Sequence, residues 1–330
     1  MRKKIFSSLI IVLFFSSCRY NNTTEKHHNE RNNIVNIHDK IKEITIENPL
    51  ISSSSRVYII DKYLIIEDLH ILDTQIHLFD KNTFEYIIST AARGQGPCEI
   101  TRIGHIGIDE MNRKFYVSDH GKNKIFGFLL DSVLGNSSYC PEVKVNMNNK
   151  LFPSEYEYIN DTLCIGRFIE PIEVGDFKPT IGRWNMNTGE VTLMKYKHPE
   201  VEKKRIVFAI STDKNLYVEF YNYHDLLTIC NLDGELQYNI YGPKWDNKKS
   251  NKIDYFHKGF FKDDNILVLY TGEEKTSTKI IVFNVNGDYI KTLETKYSIR
   301  DFCYDKENNR LIMNLDDEIQ FAYLELDGIV

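Results

Sequence analysis

The sequence is short of the residues that break or replace regular structure. Among 330 residues there are 17 Gly and 8 Pro, too few for a collagen-like or linker-like chain. Neither charge dominates: 41 Lys+Arg stand against 47 Asp+Glu, a formal charge of −6. No basic field is concentrated enough to neutralise a phosphate backbone, so nucleic acid is not expected as a partner. The apolar stretch Ile5–Phe15 is eleven residues long, against the roughly 20 that a membrane-spanning helix requires. Familiar catalytic motifs are missing too: no Gly-rich phosphate loop opens a helix, and there is no HExxH, no Gly-x-Ser-x-Gly and no EF-hand loop. Sustained 3.6-residue periodicity is nearly absent. What is plentiful is aromatic: 20 Tyr and 19 Phe, which exclude disorder for the chain as a whole.

The amino terminus reads as an export signal. Arg2, Lys3 and Lys4 precede the short apolar stretch, which ends in Phe15-Ser16-Ser17-Cys18. Small residues just before a cysteine resemble a bacterial lipobox, with Cys18 as the lipidated first residue of the mature chain. Residues 1–17 are thus a signal peptide, whose removal takes the formal charge from −6 to −9. Residues 18–41 begin with a polar run through Asn33 that holds Tyr20 but no aliphatic side chain. It cannot bury enough apolar area to offset its ordering entropy, so a flexible tether is expected, His27-His28 included. The implied address is the cell envelope, lipid-anchored at the outer membrane with the periplasmic side favoured.

Five cysteines follow Cys18: Cys98, Cys140, Cys164, Cys230 and Cys303. An odd number cannot all pair within the chain, and none form a CxxC. Cys164, Cys230 and Cys303 sit in apolar runs, where a thiol acts as a small hydrophobe. Unpaired thiols in an exported body are the expectation, as suits a bacterium living without oxygen.

Residues 42–330 repeat. Short runs rich in Ile, Val, Tyr, Phe and Leu, such as Arg56–Ile60, Lys114–Ser118, Asn215–Glu219 and Lys279–Phe283, alternate with Asp/Asn/Gly turns. A turn Asp recurs at Asp61, Asp109, Asp161, Asp213, Asp263 and Asp305, in steps of 48, 52, 52, 50 and 42 residues. A later turn recurs in Asn185–Glu190, Asn231–Glu235, Asn284–Asp288 and Leu326–Gly328, where Gly supplies the positive φ of a tight hairpin. Four strands in about 48 residues, six times over, is the signature of an all-β, six-bladed β-propeller. The sixth repeat ends one strand short. Lys42–Glu47, ahead of the first repeat, supplies the missing strand and closes the ring, which removes exposed sheet edges. A monomer is expected.

Arg93-Gly94-Gln95-Gly96-Pro97-Cys98-Glu99, then Lys114–Asp119 and Lys124–Phe128, resemble exported six-bladed propeller lipoproteins of Gram-negative gut anaerobes, which are TolB-like or NHL-like in fold. Cys98 stands where that loop usually carries its third Gly. The resemblance implies a fold and an envelope location rather than an activity.

In such a ring the loops joining second to third strands, and those joining blades, share one face. On it fall Arg93, Gln95, Glu99, Asp119, His120, Arg167, Tyr221, Tyr223, His224 and Asp225 as candidate binding residues, with 167–179 as the longest loop. Tyr156, Tyr158, Trp184, Tyr221, Tyr223, Tyr241 and Trp245 could give that face some stacking surface. Two functions are compatible with this inventory. One is a binding or scaffold module for a protein or an oligosaccharide, with no catalytic residues and no cofactor. The other is a propeller hydrolase or lyase with Ca²⁺ or Zn²⁺ at the central channel, drawing on His120, His224, Asp119 and Asp225.

Overall fold

The computed structural model describes residues 24–173, 176–201, 204–247, 253–272 and 276–330; residues 1–17, read above as an export signal, and Cys18 lie outside them. The described strands form six sheets in a ring, a six-bladed β-propeller as the repeat implies. Each blade is an antiparallel meander whose first strand is innermost. The inner strands are Ser55–Ile60, Ile103–Asp109, Phe152–Asn160, Ile206–Ser211, Asp254–Lys262 and Ile299–Asp305 for blades 1 to 6. Among the described residues no helix is long and apolar enough to cross a membrane.

The sequence forms blades because its apolar residues fall in strand-length runs between residues that tolerate left-handed backbone. Gly189, Gly234, Gly287 and Gly328 all take positive φ, between 68° and 85°, as the later turn requires. The Asp turn is less uniform. Asp61 and Asp263 are themselves left-handed, whereas the longer turns of blades 2, 4 and 6 place Arg113, Asn215 and Asn309 in that region. In those turns Asp109 and Asp305 accept hydrogen bonds from Asn112 and Asn308 instead.

Second strands such as Tyr63–Asp68 and Arg310–Leu315 are buried along their whole length, since neighbouring blades cover both faces. Six apolar clusters result, one between each pair of adjacent blades. Val57, Leu64 and Phe79 of blade 1 pack on Ile312 and Phe321 of blade 6, and Leu267 and Val282 of blade 5 pack on Phe302 and Leu311. Each fully buried Phe or Leu contributes about 1.5–3 kcal/mol.

Ring closure uses the expected amino-terminal strand. Ile41–Ile44 pairs antiparallel with Phe321–Glu325, with Ile44 opposite Phe321 and Ile41 opposite Leu324. Among the described residues, what precedes it from Thr24 on is not a free tether. Glu25–His27 adds a fifth strand, parallel, to the outer edge of blade 4, and Ile34–Asn36 does the same on blade 5. Between them Arg31 turns inward to meet Asp225 at 2.8 Å, with both side chains buried, beneath the rings of Phe256, Tyr270 and Phe283. Composition misjudged this segment because backbone ladders and one buried ion pair order it, and neither needs aliphatic residues.

Of the five cysteines after Cys18, the three expected as packing thiols are free and the other two pair. Cys98 and Cys140 form a disulfide across 42 residues, joining the connection between blades 1 and 2 to the segment before the outer strand of blade 2. Cys164 and Cys230 are buried free thiols and Cys303 is a half-buried one. Burial pushes the Cys164 and Cys230 thiols up to about 12, the inert state of a packing residue.

Candidate functional site

Inner strands run from the loop face inward, so residues near their starts surround the channel mouth. There Arg56, His105, Glu155, Glu157, Lys258 and Asp301 line a cavity of about 430 Å³, contributed by blades 1, 2, 3, 5 and 6. Blade 4 adds no residue to this lining.

Most of these side chains tie one blade to the next. Arg56 donates to the Gly104 carbonyl at 3.2 Å, linking blades 1 and 2, and His105 Nε2 meets the Tyr156 carbonyl at 2.7 Å, linking 2 and 3. Arg167 donates to the Ile206 carbonyl at 2.6 Å, linking 3 and 4, and Asn222 donates to the Phe256 carbonyl at 2.6 Å, linking 4 and 5. Lys258 Nζ reaches Asp301 at 2.7 Å, linking 5 and 6, and Asp301 accepts the Val57 N–H at 2.8 Å, linking 6 to 1. This polar ring holds the channel wall rigid, a prerequisite for pre-organised recognition.

The electrostatics divide the carboxyls. Burial raises Glu67, behind Tyr58, to about 7, because Arg56 at 3.6 Å and the Tyr58 hydroxyl at 2.9 Å only partly offset the loss of water. Glu157 also rises to about 7, through enclosure by the channel wall and repulsion from Glu155, although the residue is solvent-exposed. Enclosure also opposes ionisation of Glu155, but the cations Arg167, Lys258 and Arg56 outweigh it and hold that carboxyl below its ordinary range. Burial takes His105 down to about 4, so its imidazole is neutral.

These shifts carry a stability prediction. Folding raises Glu67 from the ordinary 4.5 to about 7, so the native state binds the extra proton between those values. Stability is full below pH 4.5 and is lost as pH rises through 7, by up to about 3 kcal/mol for a fully buried group. Glu67→Gln removes that share of the slope and is more stable than the parent at pH 8. Denaturant titrations at pH 5, 6, 7 and 8 compare the two slopes; parallel slopes would contradict the assignment.

The sequence candidates do not converge on one site. Arg93, Gln95 and Glu99 form a self-braced turn. Glu99 accepts the Gly96 N–H at 2.7 Å, Arg93 donates to the Ile71 carbonyl at 3.0 Å, and Lys122 holds the Gly96 and Glu99 carbonyls at 2.6 Å each. A Cβ on Gly94 would strike the Glu99 carboxylate. Gly94→Ala should push that carboxylate off the Gly96 N–H and cost about 0.5–1.5 kcal/mol, the net worth of one hydrogen bond, readable as a lower melting temperature. Asp119 is buried and accepts four backbone N–H groups, from Thr101, Arg102, Gly121 and Lys122. Its role is to fix the blade connection, as Asp68 does in blade 1 through Ser52, His70 and Ile71.

Asp225 is spent on Arg31. Tyr221 is buried and donates to Glu219 at 3.0 Å, and His224 is buried beside Trp245, while Tyr223 is half-buried. His120, in blade 2, packs edge-on against Phe152 of blade 3, whereas His224 belongs to blade 4, so the two histidines lie on different blades. Among the described residues no three His, Cys, Asp or Glu side chains are grouped as metal ligands. Arg167 alone of the candidates lines the channel, from a strand: the presumed loop 167–179 is a hairpin of Leu163–Glu173 and Asp176–Trp184. Tyr156, Trp184 and Tyr241 pack inside the body.

Sequence reasoning missed the inner-strand charges. A usable signal exists: Arg56, His105, Glu155, Glu157, Lys258 and Asp301 each stand four to six residues before a repeat-marking Asp. The same window in blade 4, Val207–Ala209, is uncharged, and that blade is the one missing from the cavity lining.

Comparison with known proteins agrees with this geometry. The family model DUF5128, described as a 6-bladed beta-propeller, matches residues 22–264. The chain belongs to that family. A search of curated protein sequences finds no significant match. Solved structures share the propeller fold at low identity. A Bacteroides fragilis protein named for its expected export is 10% identical over 91% of this chain and 97% of its own, with a TM-score of 0.55. A luciferin-regenerating enzyme is likewise 10% identical, over 86% and 94%, with a TM-score of 0.55. At such identity the likeness is one of fold, and it places no activity in this propeller.

Proposed function

We propose that this propeller is an exported, lipid-anchored binding module of the cell envelope, held at the outer membrane through Cys18, that receives an oligosaccharide at its channel mouth and does no chemistry of its own. The observation carrying this reading is the rigid, water-accessible cavity lined by Arg56, Glu155, Glu157, Arg167 and Lys258 beside Tyr58, Phe260 and Tyr304. Paired hydroxyls of a sugar match the forked donors of arginine and the paired oxygens of carboxylates, and aromatic walls accept the apolar face of a pyranose. The signal-like segment ending at Cys18 supports the address.

Two measurements test it. A glycan array with purified protein should show saturable binding that competes with soluble oligosaccharide. Cys18→Ala should move the expressed protein from the membrane to the soluble fraction, and unchanged membrane association would refute lipid anchoring.

A further inference from the structure

The blade 3 hairpin is longer than its counterparts, at eleven and nine residues for its two strands. Its innermost neighbour pairs only as far as Ile169, and its outer neighbour only as far as Gly182. The strand ends at Glu170–Glu173 and Asp176–Thr180 therefore stand clear of the blade on the loop face. Between it and the connection leading into blade 4 lies a second cavity, of about 260 Å³, separate from the channel.

Its walls are apolar where they are highest: Ile172 is 58% exposed and Phe177 36% exposed, with Pro179 and Val201 also in the lining. Its rim is cationic. Lys178 and Lys197 line the groove with no ion pair among the described residues. Arg205 lies 3.7 Å from the Phe177 ring centre and donates to the Phe177 carbonyl at 2.6 Å. Among the described residues Asp176, 3.5 Å from Arg205, is the one acidic residue of the lining. Toward the interior, Lys204 is neutralised by buried Glu219 at 2.6 Å. A net positive, apolar groove thus sits on a chain whose formal charge is −6.

We propose that this groove docks an acidic peptide segment of a partner protein, with an apolar side chain between Ile172 and Phe177 and carboxylates against Lys178 and Lys197. Charge complementarity selects the acid, and the exposed apolar pair supplies the buried anchor that gives an interface most of its energy. Strand addition is disfavoured at this hairpin: Pro171 and Pro179 lack the donors a new strand would use, and Arg205 occupies the Phe177 carbonyl. Recognition therefore runs through side chains. An oligosaccharide offers no compact aliphatic group for the walls.

The test uses an octapeptide array in which a central Leu, Ile, Phe or Tyr is flanked by Asp/Glu, by Ser or by Lys. The full-length mature protein should bind the acid-flanked set at least tenfold more tightly than the Lys-flanked set. Lys178→Glu/Lys197→Glu should abolish or invert that preference without lowering the melting temperature, because both lysines are exposed. Phe177→Ser should weaken binding to acid-flanked peptides while leaving the charge preference. Absence of charge-dependent peptide binding, or an unchanged preference in the double variant, overturns the proposal. So does binding of an anionic oligosaccharide at these lysines in place of peptide. Glu157→Ala, in the channel, should leave the array pattern intact, which separates failure of this groove from failure of the channel reading.

Discussion

Arg31→Ala should destabilise the propeller by about 3–5 kcal/mol, although Arg31 lies in a segment whose composition reads as a tether. The cause is burial: removing the guanidinium leaves the Asp225 carboxylate, fully shielded from water, without its cation. Among the described residues, Asp225 Oδ2 retains the Lys244 N–H, at 3.2 Å, and no cation. The loss should be local as well as global. Amide exchange should quicken at Asn239 and Thr292, whose N–H groups are capped by the Thr24 and Asn33 carbonyls at 2.7 and 2.8 Å. Arg31→Ala combined with Asp225→Asn should cost less than the two single changes added together, the mark of a coupled pair. A loss below about 0.5 kcal/mol, the usual range of a surface change, would mean that residues 24–36 hang free after all.

Breaking the Cys98–Cys140 bridge should cost about 4 kcal/mol, the chain-entropy value for a loop of some 40 residues. Within that loop lie the first three strands of blade 2 and the helix Leu130–Gly135, so opening it frees nearly a whole blade. Cys98→Ser/Cys140→Ser should lower the denaturant midpoint, and a reducing agent should lower the parent to the same value while leaving the double variant unmoved. Cys164 and Cys230, buried and inert, should take no part. An unchanged midpoint in reductant would show that the two sulfurs are not bonded.

What was legible in the sequence was whatever local backbone chemistry dictates. Gly189, Gly234, Gly287 and Gly328 announce left-handed turns because only a residue without Cβ takes them cheaply. The turn period then fixes six blades, and the short sixth repeat predicts a closing strand at Lys42–Glu47, which the structure places at Ile41–Ile44. Contacts between distant segments were not legible. Arg31 and Asp225 are 194 residues apart, and nothing in either neighbourhood marks the other. Cys98 and Cys140 meet only once blade 2 has folded. Asp119, His224 and Asp225 read as functional because they are polar residues in loops, yet each is spent inside the structure. Asp119 illustrates the ambiguity: four backbone donors around a carboxylate fix a turn as well as any metal would. The channel groups hid for the opposite reason. Arg56 and Glu155 lie in strands whose alternation looks like ordinary inside-outside patterning, and only the closed ring makes their outside the wall of a cavity.

The central claim, that the channel mouth is a binding site, is tested most directly by titrating a glycan-array hit into the parent protein and into Glu157→Ala. Glu157 is exposed in the channel lining and is not among the inter-blade links, so its removal should leave the fold intact. A loss of affinity of tenfold or more with an unchanged melting temperature is the predicted result. Equal affinity in both proteins would place the ligand elsewhere and contradict the claim.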